Sequence, residues 1–183
     1  MVKDYNKEHL LKELTNEELM TSVANGELDS VKILFERHHI HVFNFLYKMS
    51  GDSMLSEDLT QEVFYKVMKY RSSYNHGSFI SWLFTIARNS LKTHFKKNRT
   101  HDDLENISYK LANENENSSE EYSQLQLALA KLSASDRELL LLNRFQEIKY
   151  KELAEITGST PGAIKTKVSR ALKKLKTIYL NEL

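Results

Sequence analysis

The chain has 183 residues, 40% hydrophobic and 28% charged, with a formal net charge of +1, enough apolar material for one domain or two small ones. It has no cysteine, which excludes disulfides, thiol chemistry and Cys-based zinc sites and fits a reducing cytoplasm. The charged start Met1–Tyr5 lacks an apolar signal core, the longest apolar run, Phe79–Ala87, is too short to cross a bilayer, and five glycines with one proline favour helices joined by short turns.

The polar residues up to about Thr15 read as a loose arm. Thr15 and Glu18 make a capping-box pattern that opens a helix with Leu19, Met20, Val23 and Ala24 inside, closed by Asn25-Gly26. Asp29 is placed to cap the next helix, whose inner set is Val31, Leu34, Phe35, Val42, Phe45, Leu46 and Met49, with Gly51 at its end. His38, His39 and His41 lie on this helix. Their spacing matches no metal-ligand motif, so they read as core-edge or surface histidines.

From Ser56 to Tyr70, Leu55, Leu59, Val63 and Val67 step by four along one face, and Asp58, Gln61, Glu62, Tyr65 and Lys69 gather on the other. That outer face suits either plain solvent or docking of a basic partner helix. Tyr74 to Ser78 reads as a loop. Ser78 then caps a helix running to about Lys97, with Phe79, Leu83, Ile86, Ala87 and Leu91 inside. Its outer face carries Ser81, Thr85, Arg88, Asn89, Lys92, Lys96 and Arg99, with Trp82 at the border, and no acid occurs between Glu62 and Asp102. Such a cationic, aromatic-edged helix can hold a nucleic-acid single strand, cations tracking phosphates and rings stacking on bases at ~1–3 kcal/mol each.

The span from Asp102 to Glu121 holds seven acids against the single Lys110 and is filled with Asn and Ser, so it reads as a linker. Beyond it, Tyr122, Leu125, Leu129 and Leu132 mark one helix. Ser135 and Glu138 suggest a second capping box, opening a helix with Leu139, Leu140, Leu142 and Phe145 inside.

Tyr150 to Lys176 is the most informative stretch. Ala154 is small enough for close helix packing, Gly158 can stop a helix at positive φ, Ser159 or Thr160 can cap the next, and Pro161 suits its first turn. Ile164, Val168, Ala171, Leu172 and Leu175 form the buried stripe. Lys165, Thr166, Lys167, Ser169, Arg170, Lys173 and Lys174 face out, with no acid between Glu155 and Glu182. A merely solvated face would mix signs. This pattern is a helix-turn-helix whose second helix can lie in a DNA major groove.

Three segments together resemble a bacterial RNA polymerase sigma factor of the extracytoplasmic-function type. Asp58-Leu59-Thr60-Gln61-Glu62-Val63-Phe64 is similar to that family's core-polymerase-binding motif. Phe79-Ile80-Ser81-Trp82-Leu83-Phe84-Thr85-Ile86-Ala87-Arg88-Asn89 resembles its helix for promoter melting and −10 recognition. Gly162-Ala163-Ile164-Lys165-Thr166-Lys167-Val168-Ser169-Arg170-Ala171 resembles its −35 recognition helix. Ala163 stands where the family often has Thr, and Lys165 and Lys167 where one or both are often Arg. A lysine cannot make the bidentate fork to guanine, so the expectation carried over is DNA binding, not a particular −35 sequence.

The expected fold is all-α: a helical domain over 15–100, an acidic flexible linker over 101–121, and a helix-turn-helix domain over 122–180. The resemblance implies a cytoplasmic protein that is no enzyme and has no catalytic residue, cofactor, metal or membrane insertion. It would bind the clamp of the large catalytic subunit of core RNA polymerase through Asp58, Leu59, Gln61, Glu62, Phe64, Tyr65 and Lys69. It would bind the promoter −10 element through Tyr74, Asn75, His76, Ser78, Trp82, Arg88, Asn89, Lys92, Lys96 and Lys97. The helix-turn-helix, Tyr150 to Ser169, would bind the −35 element through Ser159, Thr160, Gly162, Lys165, Thr166, Lys167, Ser169, Arg170 and, just beyond it, Lys173. An anti-sigma factor covering the same faces is implied too. A coil of about twenty residues has ends ~25 Å apart, whereas two sites one to two duplex turns apart need ~35–70 Å; the linker would be nearly stretched, and it could also fold back onto the basic helices. A stand-alone helix-turn-helix transcriptional regulator explains the last stretch but not the acid-free span before His101. A nuclease using His38–His41 lacks acidic ligands.

Overall fold

The structure is a computed structural model and describes residues 9, 11–98 and 120–181; nearly all of the acidic linker lies outside them, and of the expected loose arm the part over 11–14 is described and is not loose, since 11–13 are helical and Arg37 donates to Lys12 O at 2.7 Å and to Leu14 O at 2.9 Å. Among the described residues there is no strand. The helices are α1 (Asn16–Ala24), α2 (Asp29–Ser50), α3 (Ser53–Lys69), α4 (Phe79–Asn98), α5 (Glu120–Ala130), α6 (Ala134–Leu140), α7 (Tyr150–Thr157) and α8 (Pro161–Leu180). A 3-10 turn, Arg71–Ser73, follows α3, and a π-helical turn, Leu141–Phe145, extends α6.

Local chemistry sets most boundaries. At α1 the Thr15 and Glu18 capping box forms, with Glu18 N donating to Thr15 Oγ1 at 3.2 Å and Thr15 N to Glu18 Oε2 at 2.8 Å. Gly51 closes α2 at φ 74°. The N-cap of α2, however, is Leu28, without a side-chain cap bond; Asp29 already lies inside the first turn. Asp52 caps α3 by accepting from Leu55 N at 2.9 Å, so that helix starts three residues before Ser56.

Helices α1 to α4 enclose one core, in which Leu19, Met20, Leu34, Phe45, Leu46, Phe79, Leu83 and Phe84 are fully buried. Side chains of this size contribute about 1.5–3 kcal/mol each when withdrawn from water. Two contacts from α1 fix the start of α4: the Glu17 carboxylate accepts from Phe79 N at 3.0 Å, and Thr21 Oγ1 lies 3.2 Å from His76 Nδ1. Ser78 Oγ accepts from Ser81 N at 3.3 Å, the expected cap of α4.

The second core joins Leu140, Leu141, Leu142, Ile148 and Leu153 to Ile164, Val168 and Ala171 of α8. Two sequence expectations fail here. The cap of α6 is Ser133, accepting from Asp136 N at 3.2 Å, not Ser135; Glu138 reaches Arg88 instead of closing a box. Phe145, expected inside, is 44% exposed, because the π turn rotates it outward beneath Lys48, whose Nζ lies 5.5 Å from the ring centroid.

Candidate nucleic-acid interface

The helix-turn-helix is built as its residues dictate. Gly158 takes φ 65°, ψ 42°, with its N–H and that of Ser159 closing the end of α7. Thr160 accepts from Ala163 N at 3.3 Å, and Pro161 occupies the first position of α8. Ala154 is buried against α8. On the outer side Thr160, Gly162, Lys165, Thr166, Lys167, Ser169, Arg170 and Lys173 are exposed and Ser159 partly so. Two hydroxyls have local duties: Thr160 caps α8, and Thr166 Oγ1 donates to Gly162 O at 3.0 Å. The result is a cationic face on a helix entered through a tight turn.

The second cationic surface lies on α4, where Asn89, Lys92, Lys96 and Lys97 are exposed. Arg88 belongs to the same helix but is largely covered: its Nε donates to Glu138 Oε1 at 2.8 Å and its Nη1 to Ile156 O at 3.1 Å. Asn75 and His76 are exposed in the preceding loop, with His76 at φ 60°. Trp82 and Ser78 are half-buried. Tyr74, expected to lie open, is 5% exposed. Its ring meets Trp82 edge-on at 5.4 Å, its hydroxyl donates to Gly77 O, and burial, helped by Glu17, pushes its pKa up to about 12. Tyr74 therefore shapes the loop and offers no free ring for stacking.

On α3, Asp58, Gln61, Glu62, Tyr65 and Lys69 form one exposed face. Glu62 pairs with Lys66 at 2.5 Å, and Lys66 Nζ also donates to Ser90 Oγ of α4 at 3.0 Å. Lys69 Nζ lies 5.9 Å from the Tyr65 centroid and 5.7 Å from that of Tyr70. Leu59 and Phe64, which the resemblance assigned to polymerase binding, are 3% and 4% exposed and belong to the core, Leu59 as its place on the apolar stripe implied; they support the face from beneath.

Among the described residues no group of three or more His, Asp or Glu side chains is arranged to hold a metal ion. His39 stacks on Phe35 with centroids 4.7 Å apart. No described helix is long and apolar enough to cross a membrane. Sequence reasoning missed two residues. Arg137 is buried and donates from Nε to Leu129 O at 2.9 Å and from Nη2 to Leu132 O at 3.2 Å and to Ala130 O, tying off the end of α5. Glu152, on α7, accepts from Ser81 Oγ of α4 at 2.9 Å. No local pattern in the sequence marks either.

Two family patterns match the chain: Sigma-70 region 2 over residues 34–101 and Sigma-70, region 4 over residues 122–175. The ECF RNA polymerase sigma factor BldN of Streptomyces coelicolor is 30% identical over 167 residues, an overlap covering 86% of this chain and 63% of BldN. The ECF RNA polymerase sigma factor EcfG of Rhodopseudomonas palustris is also 30% identical, with 73% of this chain and 76% of EcfG covered. Among solved structures, the sigma factor RpoE of Bartonella quintana, crystallised with the anti-sigma factor NepR, superposes with a TM-score of 0.67 at 27% identity, covering 80% of this chain and 94% of that one.

Proposed function

The chain belongs to the extracytoplasmic-function type of RNA polymerase sigma factors, and from that membership we propose which surfaces carry promoter-specific initiation. The α3 face of Asp58, Gln61, Glu62, Tyr65 and Lys69 docks on the clamp of the large catalytic subunit. On α4, Arg88, Asn89, Lys92, Lys96 and Lys97 hold the phosphates of the −10 strand. Asn75, His76 and Ser78, in a loop braced by Tyr74 and Trp82, accept an unstacked base. The cost of extracting one base, a few kcal/mol, is offset by stacking and loop hydrogen bonds, so melting needs no nucleotide hydrolysis. The outer face of α8 lies in the −35 major groove, its lysines on phosphates and Ser169 and Arg170 nearer the bases.

In this assignment the helical unit over 15–100 serves core binding and the −10 element, the acidic segment over 101–121 spans between sites, and the unit over 122–180 serves the −35 element. The protein carries out no reaction of its own and works in the cytoplasm, where its polymerase is. As with RpoE and NepR, an anti-sigma factor is its regulator.

The observation that carries this reading is the pairing of two cationic helices free of acids, α4 inside the matched region 2 and α8 with its residues up to 175 in the matched region 4. The stand-alone regulator leaves region 2 without a purpose. The test is run-off transcription with added bacterial core polymerase on a promoter library. Accurate start sites with this chain and none without it are expected, and absence of initiation on every template would overturn the reading. For the docking face, Asp58→Lys with Gln61→Ala should abolish capture of core; undiminished capture would remove α3 from that role.

A further inference from the structure

The loop between α3 and α4 is held from within and from α1. Inside it, the Tyr74 hydroxyl donates to Gly77 O. From α1, the Glu17 carboxylate accepts from Phe79 N at 3.0 Å, and Thr21 Oγ1 meets His76 Nδ1 at 3.2 Å. His76 sits at φ 60°, a backbone region that a non-glycine residue keeps only where its surroundings hold it there. Glu17 and Thr21 both precede the matched Sigma-70 region 2, which starts at residue 34, so that pattern includes neither.

Counting hydrogens fixes the tautomer of the ring. The Thr21 hydroxyl has a single hydrogen. Its oxygen lies 2.8 Å from the backbone oxygen of Glu17, one turn back in α1. Two oxygens at that distance repel unless a hydrogen lies between them, so the hydroxyl donates to Glu17 O. In the longer contact with His76, Thr21 Oγ1 therefore accepts and Nδ1–H donates. A neutral imidazole carries hydrogen on one nitrogen only, which leaves Nε2 as an acceptor. The ring is exposed, and among the described residues Nε2 has no hydrogen-bond partner.

An acceptor at this place separates the four bases. Adenine and cytosine carry an amino group, a donor, at the ring position where guanine and thymine carry a carbonyl oxygen. Nε2 attracts the first pair and meets the second with lone pairs facing lone pairs. An unanchored imidazole would present a donor or an acceptor as the base required and would not discriminate.

Resting on the function assigned above, we propose that His76 is a specificity-determining residue of the −10 loop: with Nδ1 held by Thr21 of α1, its Nε2 accepts from the exocyclic amino group of a captured adenine or cytosine. Thr21 does not touch DNA. It is a positioning residue, and Glu17 holds the far end of the loop beside it.

The experiment uses the full chain with bacterial core polymerase and a promoter on which the two initiate. The −10 strand of that promoter is synthesised with single replacements, adenine by purine or cytosine by 2-pyrimidinone, each of which removes only the amino group. Binding of the fluorescent strand is measured at about pH 8, above the imidazole range. In wild type, replacement at one position should weaken binding by about fivefold, the equivalent of one neutral hydrogen bond. In His76→Phe and Thr21→Val the same replacement should weaken it by less than about twofold, whereas Thr21→Ser, which keeps the hydroxyl, should retain the wild-type loss. Core capture and thermal stability are compared for all three variants. Should Thr21→Val fall short in either, wild type and His76→Phe decide by themselves. Absence of any amino-dependent position, a loss as large in His76→Phe as in wild type, or a stably folded Thr21→Val that retains the full loss would overturn the proposal. A promoter set on which nothing initiates removes the functional assignment itself, whereas initiation without amino dependence removes only the role of His76.

Discussion

His38 packs its ring against Phe79 with centroids 5.6 Å apart, has His41 at 6.4 Å, and finds no hydrogen-bond partner for Nε2. Burial first, then the positive potential of His41 and Arg37, lowers its pKa to about 4 against the pull of Glu17. The unfolded chain takes up this proton near the ordinary value of about 6.5, while the folded chain resists it until about 4. Stability is therefore full above that window and falls as pH drops through it. A shift of this size corresponds to about 3 kcal/mol at most, and partial exposure reduces it to about 1–2 kcal/mol. Urea midpoints of His38→Gln should accordingly depend less on pH between those values than wild type; equal slopes would show that His38 does not set the acid limb. Arg137 makes the opposite case, a charge that must be buried. Arg137→Met leaves the carbonyls of Leu129, Ala130 and Leu132 without their donor, and should cost about 2–3 kcal/mol in a denaturant melt of the C-terminal unit. A loss no larger than that of an exposed arginine such as Arg144 would argue against this anchoring. At this scale the sequence was only half legible. The exposed lysines of α4 and α8 and the inward stripe that holds Leu59 were readable from charge and period, but Tyr74 and Phe64 lie inside because of partners far along the chain, and residue type alone does not say so.

The helix-turn-helix was legible because every determinant is local. A left-handed glycine, a threonine cap and a proline act on their own and adjacent residues, so a short run of sequence specifies the turn without reference to the rest. The same locality makes its energetics testable. A Cβ built on Gly158 meets nothing within 4 Å, so substitution there carries only the conformational cost of φ 65°. Gly158→Ala should lower stability by about 1 kcal/mol, Gly158→Asn by less, since asparagine tolerates that region, and Thr160→Ala by about 1 kcal/mol through the lost cap. Ordering Asn below Ala in a urea series would contradict this account. The start of α6 was misread for the converse reason. Ser133 and Ser135 are equally good caps by type; the helix uses Ser133, which accepts from Asp136 N, and Glu138 turns to Arg88 fifty residues away. The π turn that exposes Phe145 likewise follows from how α6 meets the loop before α7, where Ile148 N donates to Leu142 O at 3.1 Å and Glu147 sits at φ 54°.

For the molecule as a whole, charge segregation matters more than the net value of +1. Between Glu62 and Asp102 lie eight basic residues and no acid, and between Glu155 and Glu182 six and none. That division was visible from the sequence; the contacts that bring the two units together were not, because each is a single pair between distant segments. Engagement of both cationic helices by DNA has a measurable consequence, since each phosphate neutralised releases condensed counterions. The slope of log affinity against log salt falls by about 0.9 for each duplex phosphate that is no longer neutralised and by about 0.7 for each single-strand phosphate. In the polymerase complex on a promoter, Lys165→Ala with Lys167→Ala should therefore reduce the slope by about 1.8, and Lys92→Ala with Lys96→Ala by about 1.4 once the strands have parted. Lys32→Ala, on the outer side of α2 beside Glu36, should leave it unchanged. The two pairs should act additively, because the faces lie on separate helices. A slope unmoved by either pair would place that helix away from the phosphates. A slope that falls equally for Lys32→Ala would mean that general surface charge is being read in place of two defined phosphate-binding faces.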